Sequence, residues 1–190
     1  MEREKEENGK QDAATSVEVC VVGLMSGTSL DAVDAAMLRM VLYGNAVEIL
    51  QMKGGKERAV EVPIPADLRS GLRELMDRAR DEGEDFVRSC LRGELDEETM
   101  RLRWEITCLH AAAVKKLMRS YPGRHVDFVG FHGQTIAHGP SASPPFTYQM
   151  GDAKLLSEIL GGVPVVHDFR TRDVACGGEG APLAPAYHVA

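Results

Sequence analysis

No apolar run in this sequence approaches the roughly 20 residues that cross a bilayer as a helix, so no transmembrane segment is expected. A surplus of positive charge is missing too: 22 Lys and Arg stand against 29 Asp and Glu, a net charge of -7. That balance argues against a nucleic-acid surface and against attachment to anionic membranes. A phosphate-bearing ligand would have to be held locally, by backbone N–H groups, a bound cation or a few chosen side chains. Cysteine is scarce and never paired in spacing. Cys20, Cys90, Cys108 and Cys176 form no Cys-x-x-Cys metal pattern, and Cys20 and Cys108 fall in apolar runs, so reduced thiols are expected. Met1 to Ser16 has almost no apolar residue with which to offset its ordering entropy, which predicts a charged mobile tail over 1–16. Such a start is not a secretory signal, and a cytoplasmic location is expected.

What is present suffices for a core, since 44% of the 190 residues are hydrophobic. The chain is organised around Val19-Cys20-Val21-Val22-Gly23-Leu24-Met25-Ser26-Gly27-Thr28-Ser29-Leu30-Asp31-Ala32-Val33-Asp34. A β-branched run breaks into small hydroxyl and glycine residues and then returns to an apolar run, which predicts a strand, a tight turn and a second strand. Gly27 frees the backbone, Thr28 and Ser29 add hydroxyls beside free N–H groups, and the turn is shaped to wrap a phosphate. Asp31 follows, placed to hold a hydrated divalent cation against it. An ordinary hairpin with a solvated Asp is the plainer alternative.

The second strand continues to Val41 and a third is expected over 46–52, making an antiparallel meander closed by Pro63 and Pro65. Leu68, Leu72, Leu75, Met76 and Ala79 recur at helical spacing, with a solvated Arg- and Glu-rich face opposite. A longer helix is expected over 96–121, acidic at its start and basic at its end; Trp104, Cys108 and His110 along it read as packing or rim residues. Val126 to Phe131 is a short strand running into a polar turn, His132-Gly133-Gln134-Thr135, and open α/β sheets place ligands at such strand ends. Imidazole, amide and hydroxyl suit sugar hydroxyls or phosphate oxygens, although an internally satisfied turn would look the same.

Phe146 to Met150 has strand alternation, and Asp152 is placed to cap a helix carrying Leu155, Leu156, Ile159 and Leu160. Val163 to Val166 is a further strand, ending in His167-Asp168-Phe169-Arg170. Asp168 and Arg170 form either a structural ion pair or a substrate clamp. Val174 to Pro182 is a glycine-rich loop, with Pro182 opening a helix. Leu183 to Ala190 is apolar with no helix-ending glycine, so a continuing partner segment is expected. A metal hydrolase is disfavoured because His132, His138, His167 and Asp168 lack a compact ligand spacing.

Five of these motifs, in this order and spacing, resemble the anhydro-N-acetylmuramic acid kinase family. They are Gly23 to Asp31, His132 to Thr135, Gln149-Met150-Gly151, Asp168-Phe169-Arg170, and Asp173 to Gly178 with Gly180-Ala181-Pro182-Leu183. The likeness covers nearly all of Val19 to His188. It implies an α/β chain forming the N-terminal lobe of a two-lobed actin, Hsp70 and sugar-kinase-like (ribonuclease H-like) fold, with the second lobe largely absent. Residues 17–168 would be that lobe, and 169–190 an inter-lobe segment and the start of the second. It also implies ATP and Mg as cofactors and an anhydro-amino-sugar substrate, cleaved at its 1,6-anhydro ring and phosphorylated on O6 in peptidoglycan recycling. The nucleotide phosphates would meet Gly27, Thr28, Ser29, Leu30, Asp31, Ala32, Val33 and Asp34, with Asp31 reaching the metal through water. The sugar would draw on His132, Gln134, Thr135, Gln149, Asp168 and Arg170.

Two departures stand out: the family usually has Gly at Ala32 and Gln at Glu179. The family's general-base Asp and its adenosine contacts belong to a later Asp-Cys-Gly-Pro-Gly type segment, so no catalytic base is assigned here. Two readings follow. One is a sugar kinase represented by its N-terminal part or completed by a homodimer partner or a complementing second lobe. The other is a catalytically dead module that binds sugar or nucleotide weakly or serves interactions.

Overall fold

The computed structural model describes residues 16–43, 46–50 and 59–181. The expected tail up to residue 15, the end of the expected third strand and the segment from Pro182 onward lie outside them.

Strand β1 (Ser16–Ser26) and strand β2 (Ala32–Tyr43) pair antiparallel, with Ser26 opposite Val33, so residues 27–31 make the connecting turn. Two strands share the outer edge of β2: β3 (Ala46–Leu50) pairs with Arg39 to Tyr43, and β4 (Ala59–Pro63) with Ala32 to Ala36. β4 departs from the sequence expectation. Its Pro63 closes a strand rather than merely following one, a position where the missing N–H costs no ladder bond. Strand β5 (Phe128–Phe131) lies parallel to β1 on the other side, and β8 (Val165–His167) parallel to β5. The sheet is therefore mixed, in the order β3-β2-β1-β5-β8 with β4 also on β2.

Helices α1 (Ala66–Asp81) and α3 (Glu97–Arg119) cover one sheet face. The stripe Leu68, Leu72, Leu75 and Ala79 of α1 and Leu102, Ile106, Ala113 and Leu117 of α3 close over Val22, Leu24, Val33, Ala35 and Met37. Between them an unexpected short helix, α2 (Glu84–Leu91), starts after Gly83 (φ 70°) and buries Phe86, Val87 and Cys90. On the opposite sheet face the register aligns Val17, Met25, Leu38, Val47, Ile49 and Val166, all exposed. Outside this sheet, β6 (Gln134–Gly139) and β7 (Phe146–Met150) form an antiparallel pair, followed by α4 (Ala153–Ile159) and, after β8, α5 (Thr171–Ala175). Among the described residues no helix is long and apolar enough to cross a membrane.

The expected cap at Asp152 is made, and Asp96 makes a second. Asp152 accepts from Leu155 N–H at 2.9 Å, and Asp96 accepts from Thr99 N–H at 2.8 Å while also pairing with Arg78 of α1. The Thr99 hydrogen bonds and then the Arg78 guanidinium hold the Asp96 carboxyl down to about 2. A carboxyl depressed in the folded state contributes stability above its unfolded pKa and loses it as pH falls through the folded value. Asp96→Ala is accordingly expected to cost about 1 kcal/mol near neutral pH in urea unfolding, and to cost progressively less from about pH 4 down to about pH 2. A penalty that does not change over that window would show that the cap's charge contributes nothing.

Candidate functional site

The turn after β1 is held from three sides. Leu30 N–H donates to Gly27 O at 3.1 Å, Ile64 N–H donates to Asp31 O at 3.0 Å, and Gln134 Nε2 donates to Gly27 O at 3.3 Å. The left-handed residue is Leu30 (φ 60°), not Gly27, where an added Cβ would meet only Ser29 at 3.4 Å or beyond. A left-handed leucine costs about 1–2 kcal/mol, and the offset here is a side chain buried completely in the core. That anchor turns Thr28, Ser29 and Asp31 outward, while Val33 faces the core and Ala32 and Asp34 are half-buried in β2. No cluster of three His, Cys, Asp or Glu able to hold a metal occurs among the described residues.

A cleft of about 230 Å³ opens at the ends of β5, β7 and β8. His132, Gln149 and Asp168 all line it, joined by Gly133, Thr147, Gly151 and Cys90. His132 Nδ1 is buried there without a partner among the described residues, and burial, seconded by the Arg170 charge, holds its imidazole below the ordinary histidine range. The ring is thus a neutral group with an unused nitrogen. Asp168 is left-handed (φ 59°) and accepts from the Thr171 hydroxyl.

Gln134, Thr135 and Arg170 do not line this cleft. The expected polar turn at 132–135 is half strand: Gln134 and Thr135 open β6, with Thr135 opposite Gln149. Gln134 is fully buried. Arg170 makes no ion pair with Asp168 among the described residues; its guanidinium donates instead to Gly180 O, whose own N–H donates to Asp173 at 2.7 Å. The expected glycine-rich loop is likewise shorter than 174–182, because α5 takes its first residues. A relay ties that loop to the cleft wall: Gln149 Nε2 donates to Thr147 Oγ1 at 2.6 Å, His138 Nδ1 lies 3.0 Å from the same hydroxyl, and His138 Nε2 lies 3.0 Å from Glu179 O. With a carbonyl at Nε2, that nitrogen carries the proton and Nδ1 accepts from Thr147. Glu179 itself is exposed and engages through its backbone.

The turn and the cleft are neighbours but open on different hollows. Thr28 faces a space of about 630 Å³ between α1 and the β6–β7 pair, lined also by Arg73, Met76, Ile136, His138 and Phe146.

The family model described as anhydro-N-acetylmuramic acid kinase matches residues 19–190, which include the turn, the cleft and the Gly180 loop. The chain belongs to that family. Curated relatives carrying the name anhydro-N-acetylmuramic acid kinase include one from Gluconobacter oxydans, 43% identical over 172 residues that cover 90% of this chain and 42% of the relative. Those from Acidiphilium cryptum (41% identical; 89% of this chain, 40% of the relative) and Vibrio cholerae (37%; 88% and 40%) align over the same proportion. The chain therefore spans about 40% of the length of the anhydro-N-acetylmuramic acid kinases it matches.

Sequence reasoning does not single out Thr147 and Cys90, which line this cleft, and weighs His138 only as a weak candidate in a turn. Thr147 carried a signal, since residues two apart on a strand share a face and Gln149 had been singled out. Cys90 carried none, because it reaches the cleft only through α2.

Proposed function

We propose that this chain supplies the phosphate-gripping turn and the sugar-holding wall of an ATP-dependent kinase. The kinase would hydrolyse the 1,6-anhydro ring of anhydro-N-acetylmuramic acid and transfer the γ-phosphoryl group to O6. One observation carries the reading. Leu24, Phe131 and His167 are aligned in register across β1, β5 and β8, so Gly27, His132 and Asp168 leave three parallel strands at one edge of the sheet. Ligands of open α/β sheets bind at that edge. The sheet order also supports the finer assignment to the N-terminal lobe of the actin, Hsp70 and sugar-kinase-like fold.

Within this reading the exposed Thr28, Ser29 and Asp31 and the turn's N–H groups receive the nucleotide phosphates. Mg²⁺ binds through one or two carboxylates, substrate phosphates and several retained waters, and the single exposed Asp31 carboxylate fits that donor set. The metal would neutralise charge developing on the transferred group. His132, Gln149 and Asp168 hold sugar hydroxyls, while Arg170, Gln134 and Thr135 support the wall from behind. The general base and the adenosine contacts come from a complementing second lobe.

Isothermal titration of the protein with Mg·ATP and with the anhydro-sugar tests this. Each ligand is expected to bind alone, Asp31→Asn to weaken the nucleotide about tenfold and leave the sugar unchanged, and Asp168→Asn to do the converse, as loss of one charged hydrogen bond predicts. Absence of heat with either ligand, or a loss of both from each single variant, overturns the reading.

A further inference from the structure

Resting on that reading, we propose that Gln134 is a positioning residue that couples the nucleotide turn to the sugar wall, rather than a ligand of the sugar. Its side chain has no exposed surface, so a ligand cannot reach the amide. The amide instead spans the two half-sites. Nε2 donates to Gly27 O in the turn and to Thr135 O on β6, both at 3.3 Å. Two residues before it in the chain, His132 lines the cleft. A displacement of the turn therefore pulls on β6 through this amide, and a displacement of β6 pulls on the turn.

The strut also has unused capacity. Among the described residues Gln134 Oε1 is buried without a hydrogen-bond partner, and so is Ser26 Oγ, on the residue next to Gly27. Buried polar atoms without partners are few in folded proteins and each carries a desolvation cost. Here one is a potential donor on the residue before Gly27, and the other is the acceptor end of the amide that binds Gly27 O. At 3.3 Å that bond is slightly longer than the usual range of about 2.7–3.2 Å. A small approach of the turn to β6 shortens it and brings the Ser26 hydroxyl toward the amide oxygen, satisfying both orphans together. A ligand that draws the turn inward and a ligand that orders β6 both favour that arrangement, so each assists the other's binding. Coupling between sites is reciprocal by thermodynamic necessity.

The test measures the affinity of a non-hydrolysable ATP analogue with Mg²⁺, in the absence and presence of saturating anhydro-sugar. The wild-type protein is expected to bind the nucleotide about tenfold more tightly with sugar present. In Gln134→Met, which keeps the volume and removes the polar reach, the ratio is expected to fall to near one. A variant that retains the wild-type ratio, or loses sugar affinity alone, overturns the proposal, the latter returning Gln134 to the sugar's ligands. Ser26→Ala guards against a misfolded amide variant: it leaves the amide in place and is expected to reduce the ratio by about half, and an unchanged ratio counts against the proposal. A wild-type protein that binds both ligands with a ratio of one removes the coupling but leaves the kinase reading standing. A wild-type protein that binds neither removes the kinase reading and the coupling with it.

Discussion

Gly133→Ala is expected to lower stability by about 3 kcal/mol, or roughly 6–12 °C in melting temperature, and, on the proposed reading, to weaken sugar binding in the cleft. Two independent penalties meet at this position. Its φ of +75° is left-handed, which costs a residue with a Cβ about 1–2 kcal/mol, and the new Cβ would sit 2.6 Å from the Met150 carbonyl oxygen, a contact only a shift of main chain can relieve. Gly161→Ala separates the two, since its φ is +78° but nothing lies within 4 Å of the added atom. That variant should show the conformational cost alone, about 1 kcal/mol. Equal losses in thermal unfolding of the two variants would show that the close approach of Gly133 to Met150 does not matter.

Acidification from about pH 6.5 to pH 4 should remove stability on the order of 3 kcal/mol through one side chain, His110, held by burial at a pKa of about 4. The ring lies inside α3, 1% exposed, with Nδ1 2.7 Å from Ile106 O and its edge against Phe131, centroids 4.9 Å apart. The Ile106 carbonyl offsets only part of the cost of charging the buried ring, and His132 nearby adds repulsion. Because the folded pKa lies below the unfolded one, the unfolded chain takes up the proton first. Stability is complete above the unfolded value and drains away as pH falls toward the folded one. His132, also depressed by burial, contributes with the same sign. Urea unfolding of His110→Met across this range should therefore show a shallower, not a flat, dependence. A slope identical to wild type would move the acid sensitivity elsewhere.

The parts of the fold legible in the sequence are those with long, uninterrupted periodicity. β1, β2 and α3 follow their apolar patterns for 11, 12 and 23 residues, and Asp152 caps a helix as its position suggests. The strand ends that gather His132, Gln149 and Asp168 were legible for the same reason: a buried run that stops in polar residues marks an edge. Short elements were not. α2 has eight residues and α5 five, too few for a helical period to separate from a loop. β6 failed for a different reason. Its inward-facing first residue is a glutamine, so the apolar-in alternation that identifies a strand starts with the wrong polarity, and a buried amide that binds Gly27 reads as a polar turn. Arg170 reads in the sequence as half of an ion pair or a substrate clamp with Asp168, and its guanidinium meets the Gly180 carbonyl instead, since a backbone carbonyl leaves no trace in composition.

Gly133 and Gly151 both line the cleft and are tightly packed, a Cβ at Gly133 coming 2.6 Å from the Met150 carbonyl oxygen and one at Gly151 coming 2.4 Å from the Phe131 ring. At these two positions the wall presents main chain, whose dipoles are fixed by chain path and cannot be retuned by a larger side chain. On the proposed reading, a change in the preferred sugar would have to be written at neighbouring side chains such as His132, Gln149 and Asp168.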